Sequence, residues 1–367
     1  MTTEKRERRG LSLFTAAEYD DVQRFFESRP HLTPTPLVHL TALAKTLGLA
    51  DILVKDESTR FGLNAFKIVG VAYAVDRLLT GDLLDAAAPH AAAPTDAGRH
   101  AIHTLVCASE GNHGRAVARA ARERGLRAVV YLRRSAAEAR VDAIRDEGAG
   151  VILVDGTYDD AVRRMAGEAE RSGGTIVSDT AWPGYEAVPR AIMAGYTWIM
   201  TEAARQWTPH PPDIVVVQAG VGGLAGAVGS WLTDRMRPSP AFICAEPTGA
   251  ACVRASLAAG RAAPLVPSDT IMNGLCCGEV SSVALPVLAA TVDSCVLIED
   301  RSAMTAMEQL ARPLGADAPI EAGASGACGL AALCAWAAET PIAPGSRAFV
   351  INTEGTTDPA RYARREM

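Results

Sequence analysis

Lysine is scarce in this sequence. Of its 36 basic residues only Lys5, Lys45, Lys55 and Lys67 are lysines, and arginine stands almost everywhere that positive charge alone is needed. A lysine that survives such a bias is a candidate for chemistry a guanidinium cannot do, because an amine can lose its proton and condense with a carbonyl. Aromatic residues are sparse too, at 5%, so Ala, Val, Leu and Ile must fill the interior implied by a 49% hydrophobic content. No run of 18 or more apolar residues occurs, so no membrane-spanning helix is expected. No apolar stretch follows the charged opening MTTEKRERRG; the pattern predicts no secretory signal and a cytoplasmic setting. There is no excess of basic charge (the net charge is −6), which argues against a nucleic-acid partner. The eight cysteines, Cys107, Cys244, Cys252, Cys276, Cys277, Cys295, Cys328 and Cys334, form no C-x-x-C unit and are expected mostly as buried small hydrophobes. The adjacent Cys276–Cys277 could bind a metal, but no His or carboxylate cluster has matching spacing, so no metal is expected.

What is there is a long alternation of short apolar strands and helices. With 367 residues, the chain can hold one large or two medium domains. A helix is predicted over Ala16–Ser28, before the breaks at Pro34 and Pro36, and another over Thr41–Leu47; a strand over Ile52–Lys55 leads through the polar loop DESTRFGLNAFK to a helix over Lys67–Leu79. Strands at Thr104–Ala108, Ala128–Leu132, Val151–Val154 and Thr175–Ser178 then alternate with helices at Asn112–Arg124, Ala136–Glu147 and Tyr158–Ser172. Further strands are predicted at Ile214–Gln218, Ala241–Ala245 and Arg347–Asn352, with a helix at Ala225–Met236. This pattern predicts an α/β fold of parallel sheets covered by helices on both faces. Two units are expected: residues 104–180 as a small domain, and 1–103 with 181–367 as a large one. Residues 81–100, rich in Ala, Pro, Asp and His, read as a surface excursion.

Three segments carry candidate chemistry. QAGVGGLAG, Gln218–Gly226, follows a β-branched strand and opens a helix, so its backbone N–H groups can close around a phosphate; a tight turn made only for packing is the alternative. Gly220, Gly222 and Gly223 do not give the G-x-G-x-x-G spacing of a dinucleotide site, which disfavours a nicotinamide oxidoreductase. SEGNHG, Ser109–Gly114, places small and polar residues at a helix start, suited to a carboxylate or to simple capping. NAFK, Asn64–Lys67, sets Lys67 among Phe66, Ile68 and Val69, where a lowered pKa would favour Schiff-base formation; a surface lysine in a first helical turn is the alternative.

Taken in order, KDES-x-x-FGLNAFK, ASEGNHGR, SDTAW-x-GYE, QAGVGGLAG, TIMNGLCCG, SGACGL and NTEGTTDP resemble the motifs of diaminopropionate ammonia-lyases, from about Thr33 to Tyr362. The glycine loops are shared across pyridoxal-phosphate enzymes of fold type II; RFGLNAFK, DTAW-x-GYE and TEG-x-TDP are more specific to these lyases. The resemblance implies the two-domain tryptophan synthase β-like fold, with the cofactor in the large domain, and a homodimer. It implies Lys67 as the Schiff-base lysine and Asn112 as partner of the pyridine-ring hydroxyl oxygen. Gly220, Val221, Gly222, Gly223 and Leu224 match the phosphate loop, and Thr353 the hydroxyl that faces the pyridine nitrogen. Asp179 matches a base for the Cα proton of an L-substrate, with Trp182 nearby expected to desolvate it and raise its pKa. Ser109, Gly111, His113, Trp182 and Tyr185 are the expected substrate contacts.

The chain departs from these lyases at two positions. Glu110 stands where they carry a second aspartate, used for the D-substrate, and Ala324 where they typically carry glutamate. Glu110 moves the carboxylate about one methylene outward, and a 1 Å misplacement costs on the order of 100-fold, so weaker D-substrate activity is expected. The implied reaction is α,β-elimination of ammonia from 2,3-diaminopropionate or a related β-substituted amino acid, giving pyruvate and ammonia. The alternatives are another fold type II reaction (Ser/Thr dehydration, β-replacement or racemisation) and a non-catalytic pyridoxal-phosphate-binding protein.

Overall fold

Strand β7 (Ile214–Gln218), IVVVQ, is apolar and β-branched almost throughout, and every residue of it is buried. It lies inside a six-stranded sheet of order β1-β2-β10-β7-β8-β9. The other strands are β1 (Leu37–His39), β2 (Asp51–Asp56), β8 (Ala241–Pro247), β9 (Ser294–Ile298) and β10 (Arg347–Asn352). The structure is a computed structural model that describes residues 11–83, 102–109, 111–156 and 158–357. By packing, the chain divides into a first unit, Met1–Phe66 with Tyr196–Thr356, and a second, Lys67–Gly195 with Thr357–Met367.

In the first unit, alternate residues of each central strand serve two buried layers. Ile214, Val216, Ile243, Ala245, Ala348 and Val350 pack with Leu330, Ala331 and Leu333 of α12 (Ala324–Glu339) and with Ala303, Ala306 and Leu310 of α11 (Asp300–Ala311). From β10, Phe349 meets Trp207 edge-on at 5.1 Å, and Trp207 meets Trp231 of α8 (Gly223–Arg235) at 6.1 Å. The sheet is mixed rather than all parallel. β1 runs antiparallel to β2, pairing Leu37 with Lys55, while the other ladders are parallel. A three-residue edge strand just after Pro36 carries too little pattern to be read from sequence, and the edge is where Pro is tolerated.

The second unit holds a four-stranded parallel sheet, β5-β4-β3-β6, made of β3 (Thr104–Ala108), β4 (Arg127–Arg133), β5 (Gly150–Val154) and β6 (Thr175–Ile176). Val106, Ala108 and Tyr131 pack under Ala161, Met165 and Ala169 of α6 (Tyr158–Ser172). Helices α3 (Lys67–Thr80) and α4 (Asn112–Arg122) also belong here. The division therefore falls at Phe66/Lys67 and Gly195/Tyr196, outside the 104–180 span expected from the strands alone. The second boundary lies inside α7 (Ala187–Trp207), which contributes a half to each unit. Part of the expected 81–100 excursion, residues 84–100, lies outside the described residues.

Candidate functional site

In the first unit, the turn from β7 into α8 is built from backbone alone. Gly222, at φ +88°, is the N-cap of α8, and no side chain caps that helix. A Cβ on Gly222 would lie 2.8 Å from Leu288 Cδ1, and one on Gly220 2.9 Å from Cys277 Sγ and 3.1 Å from the Gly274 carbonyl. Side chains are therefore excluded, and the first-turn N–H groups of α8 are offered to an anion. The loop carbonyls are turned to other partners: Val221 O accepts from Ser281 N at 2.8 Å and Gly220 O from the Cys252 thiol at 3.4 Å. Gly223 and Leu224, both buried, continue the turn as the first residues of α8. This cradle fits a phosphate. Replacing Gly222 with alanine adds strain of about 1–3 kcal/mol, and cofactor affinity is expected to fall on the order of 10- to 100-fold in equilibrium dialysis.

Thr353 follows β10 and is 4% exposed. Its Oγ1 accepts a hydrogen bond from Gln218 Nε2 at 3.0 Å. A hydroxyl so engaged keeps its own proton to donate, which suits a ring nitrogen with a free lone pair. The backbone just before Lys67 pairs with the segment after Thr353: Phe66 N–H donates to Thr353 O at 3.1 Å, Gly355 N–H to Asn64 O at 3.0 Å, and Ala65 bridges Glu354. Glu354 Oε1 accepts from Ser325 N at 3.3 Å, at the start of α12. The departure Ala324 is itself buried there, at 2% exposure.

The path into this segment is strained and bolted. Phe61 (φ 48°) and Asn64 (φ 57°) are non-glycine residues in the left-handed region. Arg60, fully buried, clamps both Glu57 (2.6 Å) and Glu202 (2.6 Å), and Lys55 Nζ joins Glu202 at 2.9 Å. Two cations and two carboxylates thus neutralise one another out of water. Replacing Arg60 with leucine strands the carboxylates and is expected to cost about 3–5 kcal/mol, read as a lowered urea midpoint. Of the four lysines, Lys55 is thereby structural and Lys45 is exposed on α2 (Thr41–Thr46), while Lys5 lies outside the described residues.

In the second unit, Lys67 opens α3 and its Nζ donates to Asp179 Oδ2. Burial alone would push the Asp179 carboxyl up, but the Lys67 charge and the Lys67 hydrogen bond outweigh it and hold the group well below the usual carboxylate range. The raised pKa expected from the sequence is therefore corrected: the desolvation is present, and Lys67, 112 residues away, reverses it. His113 Nε2 lies 2.8 Å from Val177 O, so Nε2 carries the hydrogen and the buried Nδ1, without a hydrogen-bond partner, faces Asp179 Oδ2 at 3.8 Å. Burial lowers the His113 pKa and keeps the ring neutral.

The SEGNHG turn is held by its own serine. Ser109 Oγ accepts from Gly111 N (3.0 Å) and Gly114 N (2.8 Å), shaping the entry to α4. Asn112 is the first residue of α4 and half-buried, with Gly111 at φ +152° as its N-cap. Trp182 stacks on Tyr185 at 4.3 Å, and the Tyr185 hydroxyl is spent on the backbone, accepting from Ser178 N and donating to Ile176 O, each at 2.9 Å. Tyr185 therefore braces the loop carrying Asp179. Glu110 lies outside the described residues. Lys67, His113 and Asp179 are brought together in the second unit; the phosphate cradle and Thr353 lie in the first. Gln218, which positions the Thr353 hydroxyl, was missed from the sequence, although a polar residue closing an apolar strand beside a glycine loop was a usable signal.

The pattern of the family described as "Pyridoxal-phosphate dependent enzyme" matches residues 28–354. Diaminopropionate ammonia-lyase of Escherichia coli (strain K12) is 37% identical over 370 residues, covering 95% of this chain and 91% of that protein. The crystal structure of the Escherichia coli enzyme in complex with an aminoacrylate-PLP azomethine reaction intermediate superposes with a TM-score of 0.86 at 35% identity, covering 99% of this chain and 95% of that one. The biosynthetic L-threonine dehydratase of Mycobacterium leprae is 31% identical over 338 residues, covering 91% of this chain and 70% of that protein.

Proposed function

This chain belongs to the pyridoxal-phosphate dependent enzyme family, and on that footing we propose that it eliminates ammonia from 2,3-diaminopropionate, yielding pyruvate and a second ammonia. The observation that carries the proposal is the hydrogen-bonded pair Lys67–Asp179, in a chain matching an ammonia-lyase over nearly its whole length.

Pyridoxal phosphate, when bound, supplies an electrophilic carbonyl for amines and an electron-withdrawing ring that acidifies Cα of an attached amino acid. Lys67 would hold it by its carbonyl carbon, Gly220–Leu224 by its phosphate, Thr353 at the ring nitrogen and Asn112 at the ring oxygen. The substrate carboxylate would sit at the N-terminus of α4, where Ser109 and Gly111 shape the turn.

Asp179, kept ionised, takes the Cα proton at its carboxylate. Lys67 Nζ delivers a proton to the β-nitrogen, so that this group departs as neutral ammonia. Because Nζ and Oδ2 are hydrogen-bonded, the proton taken from Cα can replace the one given up. His113 Nδ1, a bare lone pair beside Asp179, orients the protonated carboxyl. Trp182 and Tyr185 wall off water. The departing 2-aminoacrylate tautomerises and reacts with one water, so the balance is one diaminopropionate plus one water to one pyruvate plus two ammonia. The homodimer implied by the resemblance and the cytoplasmic setting read from the sequence belong to the same proposal. Sedimentation and cell fractionation check them.

The test is pyruvate release from L- and D-2,3-diaminopropionate offered separately, with L-serine alongside. Fast release from the L-isomer, with the D-isomer on the order of 100-fold slower through Glu110, is the expected outcome. Turnover of L-serine in preference would move the chain to the dehydratase reaction, the second reading that the threonine dehydratase relative favours. No pyruvate from any of the three, with cofactor bound, would overturn the elimination.

A further inference from the structure

We propose that Cys244, Glu246 and Cys295 form a binding site for one thiophilic divalent cation of the zinc class, unrelated to the elimination chemistry. The two thiolates and the carboxylate supply three ligands, and water takes the fourth position.

Cys244 and Glu246 are alternate residues of β8 and so leave the same side of the sheet, opposite to Ile243 and Ala245 in the apolar layer under α12. β9 runs parallel to β8 in a register that places Cys295 directly beside Cys244, and paired residues of a ladder project to one side. The topology thus gathers three ligand-type side chains from two strands. Their donor atoms all lie within 4.8 Å of one another. Ligands of a tetrahedral zinc, with bonds of about 2.0–2.3 Å, stand about 3.5–3.8 Å apart, so the cluster needs to contract by only about 1 Å. Among the described residues it is the one group of three such side chains that meets this spacing. The adjacent Cys276–Cys277, the metal candidate visible in the sequence, does not belong to it.

The carboxylate asks for a cation. Glu246 is fully buried, and its two oxygens accept only from the Val253 and Arg254 N–H groups, each at 2.8 Å, in the first turn of α9 (Cys252–Ala259). Among the described residues no Lys, Arg or His side chain is ion-paired with it. The N–H groups fix the carboxylate and leave lone pairs on both oxygens. Two thiolates and one carboxylate around a divalent cation sum to one net negative charge. β9 is the edge strand and Cys295 is half-buried, which gives the ion a way in. Binding displaces the protons of the two thiols and of any protonated Glu246.

The experiment uses the cofactor-loaded, reduced full chain. Zinc is added, excess is removed by gel filtration, and bound metal is titrated out with a chromophoric chelator; cobalt serves as the spectroscopic stand-in. One zinc retained per chain is expected, with cobalt giving thiolate charge-transfer absorption and tetrahedral d–d bands. Cys295→Ala and Glu246→Gln should each weaken retention, the thiol change on the order of 100-fold or more, while Cys276→Ala leaves it intact. Circular dichroism and the visible cofactor band show that each variant has folded. No zinc retained by the reduced protein, or retention unchanged in folded Cys295→Ala, or lost instead in Cys276→Ala, overturns the site.

Discussion

Replacing Lys67 with alanine is expected to abolish turnover, by ~10⁴-fold or more, and to remove the visible absorbance that marks covalently held cofactor. Lys67→Arg sharpens the test. It restores positive charge beside Asp179, with which Lys67 is ion-paired, but a guanidinium cannot condense with a carbonyl. Both variants should therefore be inactive, whereas a lysine that served only as counter-ion to Asp179 would leave the arginine form active. Neither variant should lose its fold, since the buried charge network that secures the preceding loop rests on Lys55, Arg60, Glu57 and Glu202.

The second large effect is expected at Asp179. Asp179→Asn removes a proton acceptor without changing shape, so kcat should fall about 10²- to 10⁴-fold while KM moves little and the visible cofactor absorbance stays. The pH dependence follows from the Lys67 pair. Because the folded-state pKa of Asp179 lies well below its unfolded value, the stability the pair contributes is fully present above the ordinary carboxylate range and is lost as pH falls toward the folded value. Wild-type activity should accordingly show no acid limb at the usual carboxylate pKa from this group. In Lys67→Ala the desolvation is no longer opposed by the ammonium, and the Asp179 pKa should rise, which shows as protonation of one additional carboxyl at mildly acidic pH.

How much of this was legible from sequence depended on the kind of signal. β3, β7, β10 and α6 have the boundaries read from the sequence, because short β-branched runs and a polar-faced helix each carry a clear period. Helices α7, α11 and α12 went unread. α12, ASGACGLAALCAWAAE, is apolar on nearly every side because it packs against the sheet, so no polar stripe announces it. Rarity of lysine pointed at chemistry but could not separate Lys67 from Lys55, since a buried ion pair also preserves a lysine. The sequence placed Lys67 at the start of its helix; the strand read to Ser178 ends at Ile176, and Asp179 lies in the loop beyond it. Their contact, and with it the sign of the Asp179 shift, is tertiary and has no signature in spacing. The same holds for Cys244 and Cys295, which become neighbours only through the β8–β9 register.

The most direct test of the central assignment uses the scarcity of lysine. The cofactor-loaded protein is reduced with borohydride, digested and mapped by mass spectrometry, with Lys5, Lys45, Lys55 and Lys67 as the four lysines available. A pyridoxyl group is expected on the peptide containing Lys67 and none on the other three. A stable adduct on Lys5, Lys45 or Lys55 instead, or no adduct on a protein that releases pyruvate, would contradict the assignment.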